Sequence, residues 1–166
     1  MTVAKTSSFK ILLFAVTLTL QGGAIAQTTA VDCYNRGNAK QAKGDLDGAI
    51  ADYNRALELN PKYVKAYDNR GVAKQTKGDL DGAIADHNRA LELNPKSAGY
   101  YNNRGLAKRN KGDLDGAIAD YDRALELNPK YAAAYSNRGD AKHAKGDLDG
   151  AIADYNRAVQ LNSSRR

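Results

Sequence analysis

Apolar residues recur three and four positions apart in a block that returns every 34 residues. In its first copy Ala49, Ile50, Tyr53, Ala56, Leu57 and Leu59 make one apolar stripe, while Asp52, Asn54, Arg55 and Glu58 take most of the other positions. That spacing predicts an amphipathic helix, helix B of the unit. A weaker stripe of Tyr67, Gly71, Val72 and Ala73 predicts a shorter helix A ending at Lys77-Gly78. The segment GDLDGAIADYNRALELNPK begins at Gly44, returns almost unchanged at Gly78 and Gly112, and starts a fourth time at Gly146 with an altered ending. A period of this length means a stacked array, in which each unit buries its apolar face only by borrowing a wall from its neighbour.

The residues between helices have local reasons. Gly78 is predicted to close helix A in the left-handed conformation, and Asp79 to cap helix B by accepting from its free N–H groups. At the other turn Asn60 is expected to leave helix B through the left-handed region, with Pro61 near the start of the next helix A. The expected fold is all-α, two antiparallel helices with short turns repeated four times from about Ala30 to Asn162. The units would span 30–63, 64–97, 98–131 and 132–162, behind a short segment 27–29 and ahead of a tail 163–166.

These positions resemble the tetratricopeptide repeat (TPR) pattern, W-x2-L-G-x2-Y…A-x3-F…P. Its Gly falls on Gly37, Gly71, Gly105 and Gly139, and its Ala on Ala49, Ala83, Ala117 and Ala151. The aromatic four residues later is Tyr53, His87, Tyr121 and Tyr155, and the Pro is Pro61, Pro95 and Pro129, with Ser163 in the last unit. Three positions depart from the pattern. The Trp is Cys33 in the first unit and Tyr67, Tyr101 and Tyr135 afterwards; the Leu is Arg36, Arg70, Arg104 and Arg138; the Tyr is Lys40, Lys74, Lys108 and Lys142. The resemblance implies a right-handed α-solenoid whose helix A faces line a concave groove for an extended or helical peptide.

Residues 1–26 stand outside the repeat. Lys5 and Lys10 precede an apolar run from Ile11 to Leu20, and Ala24-Ile25-Ala26 follows Gly22-Gly23, the layout of a secretory signal peptide with its Ala-x-Ala cleavage site. The run is short of the roughly 20 apolar residues of a membrane span, so the expectation is export, a mature chain starting at Gln27, and no stable membrane insertion. An uncleaved amphipathic anchor is the alternative. Asp32 before Cys33, the sole cysteine, does not fit a lipoprotein box. In an exported chain an odd cysteine invites an intermolecular bridge, but its slot holds tyrosine in the other units, so it reads as a small buried filler.

Loss of the leader removes two lysines and no acid, taking the formal charge from +6 to +4. Both signs are spread through every unit, and no basic stripe interleaved with aromatics exists, so nucleic acid is not an expected partner. No histidine and cysteine stand at metal-ligand spacing, and no nucleophile, base and orienting group assemble. Neither a metal, a cofactor nor an enzymatic activity is expected. His87 reads as a packing residue on helix B, and His143 as a variable helix A residue able to touch a ligand.

Arg36, Arg70, Arg104 and Arg138 recur together with Asp52, Asp86, Asp120 and Asp154. Each arginine is expected to pair with the aspartate of its own unit, its stem covering apolar surface; the alternative is a row of arginines facing an acidic partner. Function points to what varies. Helix B is copied almost letter for letter, whereas helix A differs at Tyr34, Asp68, Asn102 and Ser136, at Asn38, Val72, Leu106 and Asp140, and at Gln41, Gln75, Arg109 and His143. These sets lie about one turn apart on one face, the face that the resemblance assigns to the groove; drift after duplication is the other explanation. Asn35, Asn69, Asn103 and Asn137 form an unvarying ladder, suited either to hold a peptide backbone or to brace adjacent helices. Some TPR domains clamp a C-terminal carboxylate with lysine and arginine beside asparagines. The matching positions are Tyr34, Asn38, Asn69, Gly99 and Asn103, so the asparagines are present without the cations.

The sequence thus points to an exported scaffold that holds an unidentified protein or peptide in the helix A groove. The alternative is an assembly element that forms homo-oligomers through its C-terminal repeat, where Tyr155, Val159 and Leu161 are expected to be more exposed than Tyr121, Leu125 and Leu127.

Overall fold

The computed structural model describes residues 28–163; the expected leader lies outside them. Eight helices follow one another among the described residues: α1 Ala30–Ala42, α2 Leu46–Leu59, α3 Val64–Thr76, α4 Leu80–Leu93, α5 Ala98–Lys111, α6 Leu114–Leu127, α7 Ala132–Ala144 and α8 Leu148–Ser163. Odd-numbered helices are the A helices and even-numbered ones the B helices. Each A packs on its own B, and each B on the next A. Successive A helices also touch, α1 on α3, α3 on α5 and α5 on α7, whereas among the described residues no two B helices do. The array therefore curves with its A helices on the inner side. No described helix is long and apolar enough to cross a membrane.

The turns from A to B follow the expected chemistry. Gly44, Gly78, Gly112 and Gly146 take φ between 80° and 91°. Asp45, Asp79, Asp113 and Asp147 then accept the N–H of Gly48, Gly82, Gly116 and Gly150 at 2.9–3.0 Å, satisfying a donor that the helix start leaves free. The turn from B to A corrects the expectation. Asn60 leaves α2 in an extended conformation, φ −142° and ψ 92°, and no described residue other than glycine has positive φ. Pro61 is the reason, because a residue before proline is pushed out of the helical region towards extended backbone. The Asn60 Oδ1 then accepts the Lys62 N–H at 3.0 Å, closing the turn through its side chain.

The interior is built from alanine columns and one ring per unit. Ala49, Tyr53, Ala56 and Leu57 of α2 are buried, as are their counterparts in α4 and α6. Leu59, placed on the stripe by its spacing, is exposed, and Asp52, read as polar periphery, is buried. Gly37, Gly71, Gly105 and Gly139 are where helix A meets the ring of helix B: a Cβ there would come within 2.6–2.8 Å of Tyr53, His87, Tyr121 or Tyr155. Cys33 is buried against Ala56, Leu57 and Ala66 beside Tyr34, Tyr63 and Tyr67, as expected of a filler.

The arginine and aspartate of each unit do pair. Arg70 Nε and Nη2 donate to Asp86 at 2.8 and 2.5 Å, Arg104 to Asp120 at 2.9 and 2.5 Å, and Arg138 to Asp154 at 2.8 and 2.5 Å. Arg36 and Asp52 pair likewise. The lysines at the third departure from the family pattern join them: Lys40, Lys74, Lys108 and Lys142 reach the same carboxylates at 2.8–2.9 Å. Each arginine after the first also binds the preceding B helix, Arg70 to Asn54, Arg104 to Asn88 and Arg138 to Asp122, at 2.6–2.8 Å. Its guanidinium lies 5.4–5.5 Å from the centre of the Tyr67, Tyr101 or Tyr135 ring, which replaces the family tryptophan. The departures form one device, a buried carboxylate clasped by two cations and fastened to the unit before.

Candidate groove on the inner face of the A helices

The first unit supplies Tyr34, whose ring centre lies 6.0 Å from that of Tyr53 and 5.0 Å from that of Tyr63. The buried Tyr53 hydroxyl is 2.8 Å from Asn38 Oδ1 and 2.7 Å from Gln41 Oε1. Burial pushes this phenol up to about 12. In the second unit His87 takes the ring position, fully buried, with Nδ1 3.0 Å from Asp68 Oδ1. In the third, burial likewise pushes Tyr121 up to about 12, but its hydroxyl is buried without a partner among the described residues, Leu106 standing where Asn38 stands in the first unit. In the fourth, Tyr155 donates to Asp140 Oδ1 at 3.0 Å, and Arg109 reaches Asp140 Oδ2 from the third unit at 2.6 Å.

The asparagine ladder braces the array. Asn69 Nδ2 donates to Asn38 Oδ1 at 2.8 Å and to the Tyr34 hydroxyl at 3.1 Å. Asn103 donates to Asp68 Oδ1 and Oδ2 at 3.0 and 3.3 Å, and Asn137 to Asn102 Oδ1 at 2.9 Å. Every bond runs back to the A helix before it; among the described residues none precedes α1, and Asn35 there is exposed. Of the other positions read as groove, Gln75 and Leu106 are half-buried and His143 is exposed, whereas Asn102 is buried. Not all of the varying residues are free to meet a ligand: Asn137 covers Asn102, and Asp68 is held between His87 and Asn103.

Two tyrosines missed in the sequence feel the charge of this face. Tyr100 and Tyr131 are raised first by burial and then by the charge of Asp68, and Tyr100 also by Tyr34 two units away. Their only signal was that Tyr100 replaces an alanine of the second and fourth units, and Tyr131 precedes its helix as Tyr63 does. Unequal partnering of the buried rings gives a direct test. Tyr121→Phe is expected to leave thermal stability unchanged or raised, because it removes an unsatisfied hydroxyl, whereas Tyr53→Phe should cost about 1 kcal/mol; equal losses would show that Tyr121 has found a partner.

Comparison with known proteins places this arrangement. The family profile described as TPR repeat matches residues 37–78, 74–110 and 105–146, and that described as Tetratricopeptide repeat matches 132–165. A crystal structure of MamA protein is similar at 29% identity and TM-score 0.74, covering 82% of this chain and 74% of that one. MamA residues 41 to the end from Desulfovibrio magneticus RS-1 share the fold at 21% identity and TM-score 0.77, over 83% and 78% of the two chains. The first TPR of Spaghetti (RPAP3), solved with the HSP90 peptide SRMEEVD, aligns at 27% identity and TM-score 0.69 over 75% of this chain and 99% of that one. No curated protein sequence matches. With four helix pairs in register and family profiles matching from residue 37 to 165, the chain belongs to the tetratricopeptide repeat family.

Proposed function

We propose that this protein is an exported, non-catalytic scaffold that holds a segment of a partner protein along the inner face of its A helices. One observation carries the reading: the contacts that build the array repeat in each unit, while the side chains offered on the inner face differ from unit to unit, as a surface selecting one ligand would. The likeness to a TPR domain solved with a peptide supports it. The groove's chemistry argues against a clamp for a free C-terminal carboxylate, since Tyr34 and Gly99 hold the cation positions and Asp68 adds an anion between them. The test is affinity capture with the purified protein and a Gln75→Ala, His143→Ala double variant. Stability should change by within about 0.5 kcal/mol, as for surface changes that touch no cap, while retention of the partner falls; unchanged retention by this variant would count against the groove. Export has its own check: the N-terminus of the protein recovered outside the cytoplasm should be Gln27, and recovery of an intact Met1 form from the soluble cytoplasm would sink it.

A second reading has one observation behind it. Leu148, Ile152 and Val159 form an apolar row on α8 that is 55%, 57% and 64% exposed, while Leu125, which matches Val159 one unit earlier, is 6% exposed. Such a row suits self-association. A mass in solution that rises with concentration and drops on Ile152→Lys would favour this reading over the groove.

A further inference from the structure

Asp68 differs from the other shielded carboxylates of the array. Asp52, Asp86, Asp120 and Asp154 are each held by an arginine and a lysine, and even the exposed Asp140 is held by Arg109. The Asp68 side chain is only 14% exposed, yet among the described residues its ionic contact is with His87 alone. The geometry there suits a neutral imidazole donating from Nδ1: among the described residues His87 Nε2 is buried with no partner, so an imidazolium would hold a second N–H that none of them accepts. The remaining donor is the neutral Asn103 amide, which is 3.0 Å from Oδ1 and 3.3 Å from Oδ2. Oδ2 thus carries a single long contact. Among the inner-face positions that vary between units the formal charges are Asp68, Arg109 and Asp140, and the last two cancel in their own pair. Among the described residues no lysine or arginine pairs with Asp68, which stays a poorly solvated carboxylate on the inner face, next in the chain to Asn69, whose amide holds the Tyr34 hydroxyl.

We propose that the Asp68 carboxylate receives a lysine or arginine side chain of the bound segment, with its Oδ2 as acceptor and Tyr34, held by the neighbouring Asn69, as an aromatic face for the cation. This rests on the groove reading and names the chemistry of its partner. A carboxylate already shielded from water gains more from an incoming cation than an exposed one does, and tyrosine faces add attraction for a charged side chain without requiring its removal from water. The neutral amides nearby, Asn38 and Asn69, are committed to each other, which leaves charge rather than amide pairing to select at this point.

The probe is a library of random linear peptides displayed on phage, selected against the purified protein and then measured as synthetic peptides. The expected result is a shared lysine or arginine in the selected peptides, whose replacement by norleucine or glutamine weakens binding at least about tenfold, with the same loss on Asp68→Asn. That variant keeps an oxygen to accept from His87 and Asn103, and circular dichroism and thermal melting confirm that it folds. Asp149→Asn, an exposed acid on α8, should leave affinity unchanged. Peptides that lose binding on Gln75→Ala, His143→Ala yet share no cation and ignore Asp68→Asn would overturn the cation site and leave the groove reading standing. Peptides indifferent to all of these inner-face changes would overturn both.

Discussion

Asp86→Ala is expected to cost about 3–5 kcal/mol, because it strands two cations that were drawn into the fold to meet one buried carboxylate. Arg70 binds that carboxylate through Nε and Nη2, Lys74 reaches it at 2.8 Å, and Arg70 also ties Asn54 of the preceding unit at 2.6 Å. Arg70→Ala should fall at the lower end of the same range, since Lys74 continues to pair with Asp86. The informative change is the triple one, Arg70→Leu, Lys74→Tyr and Asp86→Ala, which restores the family's own leucine and tyrosine and removes all three charges together. Replacing a buried ionic cluster by apolar residues of similar volume is often neutral or stabilising, so the triple variant should unfold in urea close to the parent. A triple variant as unstable as Asp86→Ala would mean that the cluster adds net stability. Acid offers a second handle. Arg36 and Lys40 hold Asp52 below its ordinary value against the opposing effect of burial, and at Asp154 burial pushes upwards but the bonds from Arg138 and Lys142 outweigh it. Folded values below unfolded ones give stability that is complete above the unfolded carboxylate value of about 3.9 and is lost as pH falls through the lower folded values.

Gly105→Ala carries the second large effect. An added Cβ would sit 2.7 Å from Cε1 of the fully buried Tyr121 ring, and overpacking of this kind costs about 1–3 kcal/mol. Gly99→Ala, on the same helix with nothing nearer than Ser97 Oγ at 3.8 Å, should stabilise by about 0.5–1 kcal/mol, through helix propensity alone. Thermal melts of the two variants should therefore move in opposite directions. Movement in the same direction would show that the ring has room to yield.

Most of what repeats was legible, because a requirement imposed four times leaves four copies. The helix pair, the glycine and aspartate at the A-to-B turn, and the pairing of Arg70 with Asp86 all announce themselves by joint recurrence. The extended exit at Asn60 was legible too, through Pro61, but asparagine's tolerance of the left-handed region pointed the other way. Three features were hidden for a physical reason: their partners lie in another unit, and only curvature brings them together. Asn103 reaches Asp68 across 35 positions, Arg109 reaches Asp140 across 31, and Tyr100 comes near Tyr34 across two units. The lysines that clasp the buried aspartates were also missed, since a recurring lysine reads equally well as a solvated face until Asp52, Asp86, Asp120 and Asp154 are seen to be buried.

The central claim is that a partner lies along the inner face of the A helices. Hydrogen exchange of the purified protein, with and without the partner recovered by capture, reads this directly. The account predicts added protection on α3, α5 and α7, from the segments around Asp68, Leu106 and Asp140, with α8 unchanged. Protection confined to α8, around Leu148, Ile152 and Val159, would contradict it.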